Sequence, residues 1–117
     1  MGELTTHILD TANGCPAAGV RITVNRLEAG TAKPVVQVET NADGRCDGPL
    51  VSGAAFAAGQ YEIVFAMGAY FAQKGLRDAA PAFLDDIVIR FGVAHADQHY
   101  HVPLLVSPYG YSTYRGS

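Results

Sequence analysis

The chain has little charge. Charged residues make up 16% of its 117 positions, and the formal net charge is -3. No run of Lys or Arg reaches three in a row. Neither a nucleic-acid backbone nor an anionic membrane surface is therefore an expected partner. Long apolar runs are missing too, and none approaches the ~18 residues of a membrane-spanning helix. The opening Met1-Gly2-Glu3-Leu4-Thr5-Thr6-His7 lacks both the basic start and the apolar segment of a secretory signal, so a soluble cytoplasmic protein is expected. Cysteine is scarce. Cys15 and Cys46 form no CxxC or metal-finger pattern, and in a cytoplasmic chain they read as free thiols. No Gly-x-Ser-x-Gly elbow offers a serine nucleophile, and no glycine-rich loop ahead of a helix offers a phosphate cradle. Internal repeats and low-complexity linkers are absent.

What remains is a chain of one domain's length, 49% apolar, with room for a single core. Short β-rich runs alternate with turn signals. Residues 4–10 read as a first strand, bounded by Asn13-Gly14; side-chain alternation puts Thr5, His7 and Leu9 on one face. Residues 20–27 alternate apolar with polar, the pattern of a strand with one buried and one wet face. Further strands are expected at 34–39, 48–51, 60–66, 87–91, 99–106 and 111–114, and a helix of about two turns at 68–75, capped by Gly75. Asp43-Gly44 is a tight-turn signal with Arg45 directly behind it. This makes about seven or eight strands at regular spacing, the mark of an antiparallel β-sandwich.

The side chains able to do chemistry are few. Of four histidines, His99 and His101 stand at i and i+2 of an expected strand, on one face and roughly 7 Å apart. His7 lies in the first strand. Imidazole gives and takes protons near neutral pH, although histidines on a sheet surface also occur with no chemical task. Three converging histidines could also hold zinc with one open position, but no carboxylate or cysteine stands at a supporting spacing. Arg45 is either a solvated turn residue or a fork of donors for a planar, carbonyl-rich ligand. Tyr109, Tyr111 and Tyr114 are either sandwich packing or ligand contacts. Up to this point the residues describe a small β-sandwich with a possible histidine-lined site.

The closing Tyr114-Arg115-Gly116-Ser117 is preceded by His99-Tyr100-His101-Val102-Pro103-Leu104-Leu105 and Ser107-Pro108-Tyr109-Gly110-Tyr111-Ser112-Thr113. This ending resembles the signature of the 5-hydroxyisourate hydrolases, the transthyretin-like enzymes of urate breakdown. Residues 4–10 and 14–20 resemble that family's N-terminal motif, and Asp43-Gly44-Arg45 its central one. The resemblance covers essentially the whole chain. Its most specific part is the closing tetrapeptide, which hormone-carrying transthyretins lack. It implies an all-β transthyretin-like sandwich of two four-stranded antiparallel sheets with one short helix, over residues 1–117. It further implies a homotetramer, a dimer of dimers with sites at the dimer–dimer interface. The implied reaction is cofactor-free hydrolysis of 5-hydroxyisourate to 2-oxo-4-hydroxy-4-carboxy-5-ureidoimidazoline. Residue by residue, His7, Arg45, His101 and Ser117 match the family's catalytic positions. His7, Arg45, Tyr114 and His99 match positions at or beside the substrate, with no metal. The competing expectation is a non-enzymatic transthyretin-like carrier of a flat aromatic ligand.

Overall fold

A computed structural model describes residues 2–76 and 80–116. In chain order the strands are β1 (Glu3–Thr5), β2 (Ile8–Asp10), β3 (Cys15–Pro16), β4 (Arg21–Glu28), β5 (Thr31–Glu39) and β6 (Val51–Ser52). They continue with β7 (Gly59–Phe65), β8 (Ile87–Val93), β9 (Tyr100–His101), β10 (Leu104–Ser107) and β11 (Gly110–Thr113). A 3-10 turn covers Gly53–Ala55, and helix α1 (Met67–Gln73) follows β7.

The alternating strands build one layer, the antiparallel sheet β5-β4-β7-β8. Its inner face carries Ile22, Val24, Tyr61, Ile63, Phe65, Ile87 and Ile89, all buried. Against them pack Leu4, Ile8, Leu104 and Val106 from the N- and C-terminal strands, also buried. Burying each such side chain contributes roughly 1.5–3 kcal/mol relative to leaving it in water. The sandwich reading of the sequence holds.

The opposite layer departs from the expected single antiparallel sheet in two ways. It is divided into β6-β1-β9 and β11-β10-β2-β3. Two of its ladders, β1 with β9 and β2 with β10, are parallel. Both departures come from the same place. The expected strand 4–10 breaks at Thr6-His7, and the expected strand 99–106 breaks at Val102-Pro103. Pro103 has no N–H to give to a ladder, so regular pairing stops there. The surrounding groups stay satisfied: Thr6 donates its hydroxyl to the Val102 carbonyl at 2.7 Å. The Val102 and Leu104 amides donate to the Thr5 and His7 carbonyls, each at 2.9 Å. The expected strand also starts one residue late: β9 begins at Tyr100, and His99 lies outside it.

Helix α1 ends as its sequence suggests. Gly75 takes φ of 73°, the left-handed conformation glycine adopts without strain. The Leu76 amide then reaches back to the Phe71 carbonyl at 3.0 Å, closing the helix. Tyr70 of α1 donates to the Asp10 carboxylate at 2.8 Å and ties the helix to the end of β2. Asp10 is 1% exposed. Burial alone would raise its pKa, but bonds from Asn13, Tyr70 and Ala12 outweigh it and hold the carboxyl below its usual range. Among the described residues no helix is long and apolar enough to cross a membrane.

Candidate functional site

The site begins in the register of the parallel pair β1 and β9. Leu4 lies opposite Tyr100, and Thr5 opposite His101. Leu4 and Tyr100 point into the core, so Thr5 and His101 occupy the other face, half-buried. There Thr5 Oγ1 and His101 Nδ1 lie 2.8 Å apart, a hydrogen bond whose direction depends on the imidazole tautomer. The burial alternation runs unbroken through residues 3–10 although the strand itself is interrupted, so His7 shares a face with Thr5 as expected.

Arg45 arrives from a separate loop. Asn41 organises that loop by accepting the Asp43 and Arg45 amides on its side-chain oxygen, at 2.9 and 3.2 Å. Gly44 takes φ of 72°, and its carbonyl accepts the Ile8 amide at 2.9 Å. A Cβ at this position would stand 2.5 Å from the Ile8 carbonyl oxygen. Glycine is therefore needed twice, for its backbone angle and for its contact. The result sets Arg45 beside the residue that follows His7.

The C-terminal segment closes over His101. Gly116 donates its amide to the His101 carbonyl at 2.7 Å, and the His101 amide reaches the Gly116 carbonyl at 3.4 Å. A Cβ on Gly116 would lie 3.0 Å from the imidazole Cδ2, so the backbone rests almost on the ring. Arg115 anchors this segment. Its guanidinium sits 4.1 Å over the Tyr100 ring and donates to Gln98 Oε1 and the His99 carbonyl, both at 3.1 Å.

These placements set the electrostatics of His101. Its pKa lies below the ordinary 6.5, first through burial, then through the nearness of Arg45 and His7. A neutral imidazole at neutral pH follows, with a cation close by that favours negative charge on a ligand.

A family model for the HIUase/Transthyretin family matches residues 4–116. The chain belongs to this family. A curated relative from Rhizobium meliloti (strain 1021), named 5-hydroxyisourate hydrolase 2, is 59% identical, covering 99% of this chain and 97% of that protein. The solved structure of Klebsiella pneumoniae 5-hydroxyisourate hydrolase superposes with a TM-score of 0.82 at 37% identity, covering 100% of both chains. A crystal structure of (S)-allantoin synthase gives a TM-score of 0.93 at 52% identity and covers 99% of this chain. The match spans only 44% of that longer protein.

For this member of the HIUase/transthyretin family, the structure brings together three of the expected site residues, His7, Arg45 and His101. Two others lie on the surface of the single chain. His99 is exposed ahead of β9, and among the described residues no hydrogen bond joins its side chain to the three. Tyr114 is 61% exposed. It lines a cavity of about 190 Å³ with Ile89, Phe91, Tyr100 and Arg115, at the open edge between the layers. Ser117 lies outside the described residues. Sequence reasoning missed Thr5, Asn41 and Gly116. The shared face of Thr5 and His7 was readable, but the strand across from Thr5 was not. Cys15 and Cys46 are free and half-buried, and burial, then the Asp47 charge, push the Cys46 thiol's pKa up. Among the described residues no three His, Cys, Asp or Glu side chains gather as a metal-ligand set.

Proposed function

We propose that this protein hydrolyses 5-hydroxyisourate to 2-oxo-4-hydroxy-4-carboxy-5-ureidoimidazoline in urate catabolism, without a cofactor. The observation that carries the reading is the environment of His101: an imidazole kept neutral between Arg45 and His7, at the end of a full-length match to named hydrolases. A neutral imidazole can take a proton from water. That water adds to a ring carbonyl, and Arg45 pairs with the negative charge growing on its oxygen. The ring C–N bond then breaks, the proton passes to the departing nitrogen, and a carboxylate is left. His7 and His101 share the work of orienting and deprotonating the water, with Ser117 in the hydrogen-bond relay. Tyr114 and His99 contact the substrate from the rim. Holding water and carbonyl at bonding distance supplies several kcal/mol, on the order of what intramolecular reactions gain.

In this reading the chain assembles as a homotetramer, a dimer of dimers with its sites at the dimer–dimer interface, and works in the cytoplasm. Both rim residues are exposed on the single chain, Tyr114 by 61%, as such an arrangement requires. A carrier of flat aromatic ligands would share the fold but has no use for a neutral histidine beside a cation. The test is to generate 5-hydroxyisourate with urate oxidase and follow its ultraviolet decay. Decay faster than the spontaneous rate supports the hydrolase. Unchanged decay removes it and leaves the carrier.

A further inference from the structure

We propose that Thr5 is the positioning residue of this site: its hydroxyl accepts the Nδ1–H of His101 and leaves the Nε2 lone pair facing the water to be activated. The role of that water rests on the hydrolase reading; the pairing of Thr5 with His101 does not.

Each side of the imidazole has a distinct neighbour. Thr5 Oγ1 lies 2.8 Å from Nδ1. Gly116 packs against Cδ2. Strand β9 is held by β1 on one side and by Gly116 on the other, which leaves the ring little freedom to swing. Among the described residues no hydrogen bond engages Nε2, so it is the nitrogen open to a ligand. Thr6 cannot take Thr5's place, because its hydroxyl is committed to the Val102 carbonyl at 2.7 Å. Thr5 is half-buried, and a hydroxyl oxygen can accept while its own hydrogen points elsewhere.

The tautomer matters because a neutral imidazole has one bare nitrogen. Free imidazole side chains favour the proton on Nε2, the arrangement that would disable a base at that atom. An acceptor at Nδ1 reverses the preference, as the partner of a catalytic histidine does in other hydrolases. A hydroxyl does this without adding charge beside Arg45. A carboxylate in its place would raise the imidazole's pKa and oppose the lowering that Arg45 and His7 produce.

Chains labelled with 15N in histidine report the tautomer directly through long-range proton–nitrogen correlations, and His101→Gln identifies the His101 signals. Wild type and Thr5→Ser should carry the proton on Nδ1. Thr5→Val, similar in shape but without the hydroxyl, should move it to Nε2. In the urate-oxidase-coupled assay, kcat of Thr5→Val should fall about tenfold or more, with KM within about twofold, and Thr5→Ser should recover most of the loss. Thr5→Ala replaces Thr5→Val if the latter does not fold. A wild-type proton on Nε2 overturns the proposal. So does a Thr5→Val tautomer or kcat that stays where it was. If wild type does not accelerate the decay at all, the hydrolase reading falls, and the spectra still decide whether Thr5 sets the tautomer.

Discussion

At the scale of single residues, His101 is the group on which most of the chemistry turns. It is neutral because burial, Arg45 and His7 all disfavour its charged form. His101→Ala should lower kcat by about 10²- to 10⁴-fold, the usual contribution of a positioned base. Its melting temperature should move by only a few degrees, because the side chain is half-buried and lies outside the core. A parallel collapse of stability and rate would count against the catalytic role. The pH dependence has a definite sign. The folded pKa lies below 6.5, so kcat/KM should rise with pH through a midpoint under that value and be level at neutral pH. Below pH 6.5 the unfolded chain takes up the His101 proton before the folded one does, so this residue subtracts stability as the pH falls towards the folded pKa. Arg45→Met removes the guanidinium charge from beside the ring. The His101 midpoint, followed by NMR titration, should then move up, while turnover drops because the developing oxyanion loses its partner. A midpoint that stays put would mean that the guanidinium does not act on the ring.

At the scale of elements, three segments distant in sequence meet at one short edge. Strand β1 supplies Thr5, the Asn41–Arg45 turn supplies its guanidinium, and β9 supplies His101. The C-terminal segment adds main chain, latched by Arg115 over Tyr100 and paired through Gly116. Little of that segment is buried, so the fold does not depend on it. Deleting residues 114–117 should leave the circular dichroism spectrum unchanged while turnover is lost. Normal turnover by the truncated chain would show that the segment only covers the sheet. The Asp10–Tyr70 bond lies at the far end of β2 from His7, and it anchors the helix rather than the site.

At the scale of the whole molecule, one chain presents an unfinished surface. All four residues of β11 are exposed, and the strand stands at the edge of its sheet, with one side of its backbone unpaired among the described residues. Tyr109 and Phe83 face each other on the outside, with ring centroids 6.0 Å apart, at 66% and 74% exposure. Edges and aromatic surfaces of this kind are normally covered. Light scattering on the purified protein should give four chains per particle. A monomer that turns over at the full rate would place the complete site within a single chain.

Local pattern by itself determined a good deal. Alternation in residues 20–27 dictated one strand of the larger sheet, because period two is a property of the backbone. Gly75 marked the helix end, and Asp43-Gly44 marked the turn that carries Arg45. The resemblance of the chain to a family pointed to His7, Arg45 and His101. Tertiary structure alone decided how these residues meet. Parallel pairing of β1 with β9 joins segments almost a whole chain apart, and no local period encodes such a register. For the same reason Thr5 looked like an ordinary strand residue until His101 appeared opposite it. The break at Pro103 splits one expected strand into two. A proline can be read from the sequence. Its effect depends on which neighbour would have received the missing hydrogen bond, and only the fold names that neighbour.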